Sequence, residues 1–254
     1  MIRTIASSSI RFVEHGAGRP VVVLHGAGVD HREAEVGFEP ALDRPGVRRI
    51  YLDLPGMGQS PADGSVRSAA DVVTVLVEFV EAIAREPVLL VGHSAGGYLA
   101  QAVARSAGSR VAGLALVCPL LASAHDVPAH QPVVAAPELG DEGFRDYFVV
   151  QTPELLERYE RYVAPALPLA DGAFLERTGA TWEVDSSGVF HGPMLVVAGR
   201  QDSTAGFAAA AELVHQHPHA TLAVLDGAGH ALPHEQPAIL KALLGEWLTR
   251  ATQP

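Results

Sequence analysis

A chain of 254 residues with 48% hydrophobic content can bury a large core, and an α/β fold of this size is expected to form one domain with an insertion. Its net charge of −11, with 17 arginines scattered along the chain, excludes the clustered basic face a nucleic-acid partner would need. A single cysteine, Cys118, excludes an internal disulfide. The opening MIRTIASSSIRFVEHG holds no apolar run of the signal-peptide kind, and no stretch reaches the roughly 18 uninterrupted apolar residues of a membrane span. A cytoplasmic protein with no membrane partner is therefore expected; composition is silent on its oligomeric state.

Short β-branched-rich runs predict strands at Ile10 to Glu14, Val21 to Leu24, Arg48 to Leu52, Val88 to Val91, Val111 to Val117, Met194 to Ala198 and Thr221 to Leu225, read as buried parallel strands. Helical periodicity lies between them. Ser68 to Arg85 places Val72, Val73, Leu76, Phe79, Val80 and Ile83 on one face, and Ala95 to Ser106, Phe207 to His215 and Pro237 to Arg250 follow, the last opening on a proline suited to a first helical position. This alternation predicts a mostly parallel sheet with helices on both faces.

From Pro119 to Phe190 the rhythm breaks. These 72 residues carry 7 of the 18 prolines and 8 of the 15 aromatic residues, among them Phe174 and Trp182, and no convincing strand. The segment reads as a helical insertion at 119–190 between core segments 1–118 and 191–254. Thr152-Pro153-Glu154 makes a helix start, after which Leu155, Leu156, Tyr159, Tyr162 and Val163 form an amphipathic stripe.

The stretch VLLVGHSAGGYLA, Val88 to Ala100, sets a serine at the sharpest point of a strand-to-helix turn. Such a serine is either a helix cap or a nucleophile. In Gly-x-Ser-x-Gly the turn strains the serine backbone and brings strand and helix close, so the residues two before and two after must be small, as Gly92 and Gly96 are. The Ser94 hydroxyl would then project from the carboxyl edge of the sheet beside the Ala95 amide at a helix N-terminus, where developing negative charge is favoured. The glycine-rich loop of VVVLHGAG can add the Ala27 amide as a second oxyanion donor. Asp202 in MLVVAGRQDS and His230 in LAVLDGAGHALPHEQP follow later strands, in the order Ser, Asp, His expected when a base and its orienting acid are delivered from later strand ends. DLPGMGQS, Asp53 to Ser60, is by itself only a turn.

With LHGAG, DLPGMGQS, GHSAGG, GRQD and GAGH in this order, the chain resembles the α/β-hydrolase superfamily over nearly all its length except the insertion. The resemblance implies an α/β-hydrolase fold with Ser94 as nucleophile, His230 as general base and acid, Asp202 as its orienting partner, the Ala27 and Ala95 amides as oxyanion hole, and the insertion as a cap over the pocket. Some relatives carry the acid after the preceding strand, but here Leu116-Val117-Cys118-Pro119 offers no carboxylate before Asp126. Asp226 reads as a turn former, and His25 and His93 as residues that shape the loop and elbow. The run His215-Gln216-His217-Pro218-His219 reads as the surface close of a helix rather than a metal site, and Cys118 as a small buried apolar residue; no metal or cofactor is expected.

The expected chemistry is attack by Ser94 on an ester carbonyl, an acyl-serine intermediate, and its release by water. The insertion holds 12 acidic and 4 basic side chains; these either reach the pocket and repel anionic substrates or solvate outer helix faces. Its aromatics favour a small-molecule substrate with an apolar acyl or aromatic group. Cleavage of a carbon–carbon bond in a vinylogous diketone, perhydrolase or haloperoxidase-like use of the same acyl-serine, and a ligand-sensing receptor remain alternative readings of this framework. A hydroxynitrile lyase would need an active-site lysine, whereas Lys241 falls in the C-terminal helix.

Overall fold

The computed structural model describes residues 1–5, 8–179 and 190–252. Eight strands form a sheet in the order β1-β2-β4-β3-β5-β6-β7-β8: β1 (Ile2–Ile5), β2 (Ser8–His15), β3 (Arg19–Leu24), β4 (Val47–Leu52), β5 (Val88–His93), β6 (Val111–Val117), β7 (Met194–Gly199) and β8 (Ala220–Leu225). From β4 to β8 every pairing is parallel. β2 runs antiparallel to both β1 and β4, so the first predicted strand is not a parallel one. β8 closes the far edge half-buried along its whole length, because an edge strand is covered on fewer sides.

Helices α1 (His31–Leu42), α2 (Ala69–Ile83), α3 (Ala95–Ala107), α7 (Ala208–His215), α8 (Leu232–Glu235) and α9 (Pro237–Thr252) complete the core fold. Successive residues of a strand face opposite ways, and a sheet covered on both sides therefore needs continuous apolar runs. Val22, Leu24 and Leu90 pack into one layer with Val72, Phe79 and Val103 of α2 and α3. Val21, Val23 and Leu89 pack into the other with Phe38 of α1 and Leu244 and Trp247 of α9. Trp247 is fully buried and its indole N–H donates to the Pro193 carbonyl at 3.0 Å, pinning α9 to the start of β7.

The helix starts follow local chemistry. Ser68 and Asp71 form a reciprocal capping box at α2, and Asp30 caps α1 by accepting the Arg32 amide. Helix α1 escapes the periodicity because it contains Pro40 and buries polar His31 and Glu33 on its inner face.

Between β6 and β7 lie α4 (Glu142–Tyr147), α5 (Pro153–Arg158) and α6 (Gly172–Gly179), with no strand of the sheet among the described residues. Thr152 caps α5 as the sequence suggests, but the helix continues as a π-turn over Tyr159–Val163, closed by the Ala164 amide on the Tyr159 carbonyl. The extra residue of that turn leaves Leu155, Tyr159 and Val163 buried and Leu156 and Tyr162 only half-buried. Phe144, Phe148, Leu155 and Tyr159 form a separate small core that rests on Val29 and Ala231. Trp182, Glu183 and Asp185 lie outside the described residues.

Replacing Trp247 with alanine removes the largest fully buried side chain among the described residues and leaves a cavity between α9 and the sheet. The expected loss is about 3–5 kcal/mol, read from the urea midpoint of the variant against the wild type.

Candidate active site

The parallel register brings Leu24, Leu52, Gly92, Leu116 and, through Val117, Val197 of adjacent strands into line, so the loops after these strands meet along one edge of the sheet. Ser94 stands between β5 and α3 with φ 54° and ψ −122°. This is backbone that side-chain-bearing residues rarely adopt, and it is held by the Ser94 amide on the Val117 carbonyl at 3.1 Å. A Cβ on Gly92 would run into the Gly96 carbonyl, and one on Gly96 into the carbonyls of Leu24 and His25. Both positions must be glycine for the turn to close. Ser94 occupies the position before α3, yet its side chain makes no capping hydrogen bond.

That hydroxyl instead donates to Nε2 of His230 at 2.8 Å. Nδ1–H of His230 donates to Asp202, 3.1 Å from Oδ1 and 3.0 Å from Oδ2, which leaves Nε2 as the acceptor. Asp202 is fully buried, and the amides of Thr204 and Ala205 donate to its Oδ1 at 2.9 Å. Burial alone would raise its pKa; the His230 hydrogen bond and the two amides outweigh that and hold the carboxyl below its usual range. Ala27 and Ala95 line one apolar cavity of about 90 Å³ together with Leu54, Met57, Val72, Leu99 and Phe174, and among the described residues neither amide donates to a protein acceptor. A hydroxyl so arranged can be deprotonated as it attacks, with two N–H groups free to receive an oxyanion.

The structure places Ser94, Asp202, His230, Ala27 and Ala95 along this edge. Its secondary candidates sort by their partners. His25 Nδ1–H donates to the Gly26 carbonyl at 2.7 Å and its Nε2 accepts the Leu54 amide at 2.9 Å, so it joins the HGAG loop to the DLPGMGQS loop. In that second loop Asp53 is buried and accepts N–H and Nδ1–H of His31 and the Gln59 amide. Asp226 is exposed and accepts from Gln201. Cys118 is buried, with its thiol 3.5 Å from the Gly229 carbonyl, and burial pushes its pKa well up. Of the histidine run, His215 and His219 are exposed, but His217 is buried with Nδ1–H on the Leu213 carbonyl, which corrects the surface reading for that residue. It folds back on α7 to close the last turn. Among the described residues, the groups close enough to share an ion are Cys118 with Asp202 and His230, and Asp30 with His31 and Asp53, whose carboxylates already carry the hydrogen bonds just described.

Sequence reading missed the polar support around His230. His93 Nε2–H donates to the His230 carbonyl at 2.9 Å, and its Nδ1 is buried without a partner. On α8, His234 donates Nε2–H to Glu33 of α1 at 2.8 Å, both side chains having 0% exposure. Burial by itself would raise the Glu33 carboxyl, but the His234 hydrogen bond and nearby imidazoles hold it well below its usual value. The spacing of His230, His234 and Glu235 in HALPHE was the available clue. It is spaced for one turn, but the partner Glu33 lies 201 residues away.

The mostly parallel sheet, the elbow and the helices on both faces define the α/β-hydrolase fold, the scaffold of a hydrolytic enzyme. The sequence profile of the Alpha/beta hydrolase family matches residues 21–243, and the chain belongs to that family. It is 25% identical over 257 aligned positions to (E)-2-((N-methylformamido)methylene)succinate hydrolase of Acinetobacter baylyi, covering 93% of each chain. An alpha/beta superfamily hydrolase from Oenococcus oeni superposes with a TM-score of 0.90 at 25% identity over 100% of both chains. A thermophilic esterase from Thermogutta terrifontis shares the fold with a TM-score of 0.72 at 23% identity, over 100% of this chain and 99% of that one. The chain is a hydrolase. Among the described residues no helix is long and apolar enough to cross a membrane.

Burial pushes the pKa of His93 down from 6.5 to about 4, although the Glu33 charge works the other way. Between those two values the unfolded chain binds a proton that the native state refuses, so native stability falls as pH drops from 6.5 to 4. The expected contribution is about 3 kcal/mol. Urea midpoints measured across that range should be visibly flatter for His93→Gln, which keeps a donor and loses the titration.

Proposed function

We propose that this protein is a serine hydrolase that cleaves a small, uncharged carboxylic ester through an acyl-serine intermediate. The observation that carries the reading is the unbroken chain from Asp202 through His230 to the Ser94 hydroxyl, with spacings of 3.0 and 2.8 Å, ending at a serine on a strained elbow. In this mechanism His230 takes the Ser94 proton as Oγ attacks the carbonyl carbon, and Asp202 holds the ring and stabilises the imidazolium. The Ala27 and Ala95 amides receive the oxyanion, and loss of one such donor typically costs about 10²- to 10³-fold in rate. His230 then protonates the departing alcohol, and a water deprotonated by the same imidazole releases the acid.

Segment 119–190 acts as the cap. Its α6 supplies Phe174, Leu175 and Thr178 to the cavity that Ala27 and Ala95 also line. All ten acidic residues of that segment whose burial is described are exposed, so their negative charge is carried outward, and the cavity wall is apolar. Four of the segment's eight aromatics, Phe144, Tyr147, Phe148 and Tyr159, pack on one another in its own core, and Phe174 is the ring in the cavity wall. An apolar wall around about 90 Å³ favours a small neutral group and gives no counter-ion to a succinate-type carboxylate such as the Acinetobacter relative's name specifies.

A fluorophosphonate should label Ser94 stoichiometrically, and short p-nitrophenyl esters should be turned over by the wild type and not by Ser94→Ala. Asp202→Asn should lower kcat on the order of 10⁴-fold with the fold intact. Turnover retained in Ser94→Ala would sink the mechanism; turnover confined to a vinylogous diketone, or dependent on added peroxide, would redirect the substrate class.

A further inference from the structure

The turn that follows His230 carries a carboxylate with no part in the chemistry above. Glu235, at the end of α8, is half-buried and reaches back along its own turn, where its Oε2 accepts the amide of Gly229 at 2.6 Å. Its other oxygen, Oε1, accepts the amides of Val149 and Val150 at 2.8 and 3.3 Å. One carboxylate thus grips the amide of the residue ahead of His230 with one oxygen and two successive amides of the insertion with the other. The contact is reinforced by packing: Val149 sits so close to Gly229 that a Cβ there would lie 2.8 Å from the valine Cγ1. The carbonyl side of the same loop is held separately, by the Cys118 thiol on the Gly229 carbonyl and by His93 on the His230 carbonyl.

Charge-assisted hydrogen bonds to backbone amides are short and directional, and a half-buried carboxylate that accepts three of them has little freedom to move. We propose that Glu235 is a positioning residue for His230, through which the backbone at 149–150 of the insertion sets where the imidazole stands relative to the Ser94 hydroxyl. The proposal rests on reading Ser94 and His230 as nucleophile and base. A reacting pair misplaced by about 1 Å can lose on the order of 10²-fold in rate, so a grip one residue from the imidazole is close enough to govern turnover. Glutamine at this position keeps the shape but turns one acceptor into an amide N–H facing backbone N–H groups.

The test compares wild type, Glu235→Gln and Glu235→Asp on a short p-nitrophenyl ester, with active sites counted by completed fluorophosphonate labelling. Glu235→Gln is expected to lower kcat per labelled site about tenfold or more with KM within about threefold, and Glu235→Asp, which keeps the carboxylate, to recover part of the loss. Amide exchange followed in the wild type supplies a measurement that does not depend on a variant folding: Gly229, Val149 and Val150 should open together, with one shared protection. A lower melting temperature with kcat per labelled site unmoved would reduce Glu235 to a stability residue and overturn the proposal. So would exchange of the three amides at unrelated rates. A wild type that neither labels at Ser94 nor turns over ester would instead overturn the reading beneath it, and that control is read before any variant.

Discussion

The site depends on the close approach of two backbones at the end of β5. Ser94 can hold φ 54° and turn its hydroxyl to His230 only because Gly92 and Gly96 leave room for carbonyl oxygens where any larger residue would place a Cβ. Strain at one residue is tolerable when the surroundings over-determine it, and here the sheet register, the Val117 carbonyl and α3 all act on the same turn. The consequence is geometric: the hydroxyl faces outward at the sheet edge rather than capping the helix beneath it.

A second layer of organisation lies behind the imidazole. His93, Cys118 and Glu235 hold the backbone on either side of His230, while Glu33 and His234 anchor the next turn to α1. Tyr147 of α4 comes within 3.4 Å of the same Glu33 carboxylate. His93, Cys118, Glu33 and His234 are buried and Glu235 and Tyr147 half-buried, so each unmade hydrogen bond would leave a polar atom shielded from water, and that cost keeps the arrangement discrete. The insertion is therefore joined to the core by polar ties as well as by the apolar cluster on Val29 and Ala231.

The strands of the parallel sheet were legible because a sheet covered on both faces demands apolar runs, and β6 at Val111–Val117 matches its sequence signal end to end. The amphipathic helices α2 and α9 were equally clear. Helix α1 was not, since the residues it buries include His31 and Glu33, which look like surface residues until Asp53 and His234 are in place. The stripe at Leu155 to Val163 predicts a plain helix, whereas the structure has a π-turn there that sets Tyr159 against Phe144. Exposure of the insertion's acidic residues is one of two readings the sequence leaves open; for the ten whose burial is described, packing chose it.

By itself the sequence determined the chain order of the motifs, the need for small residues flanking Ser94, and the alternation of strand and helix, because each is set by chemistry within a few residues. The tertiary structure alone decided which nitrogen of His230 meets which partner, that His25 joins two loops, and that a carboxylate on α8 holds amides 86 and 85 residues earlier in the chain. Those contacts link residues far apart in sequence, and no local pattern encodes them; they exist only once the parallel register has drawn the loop ends to one edge.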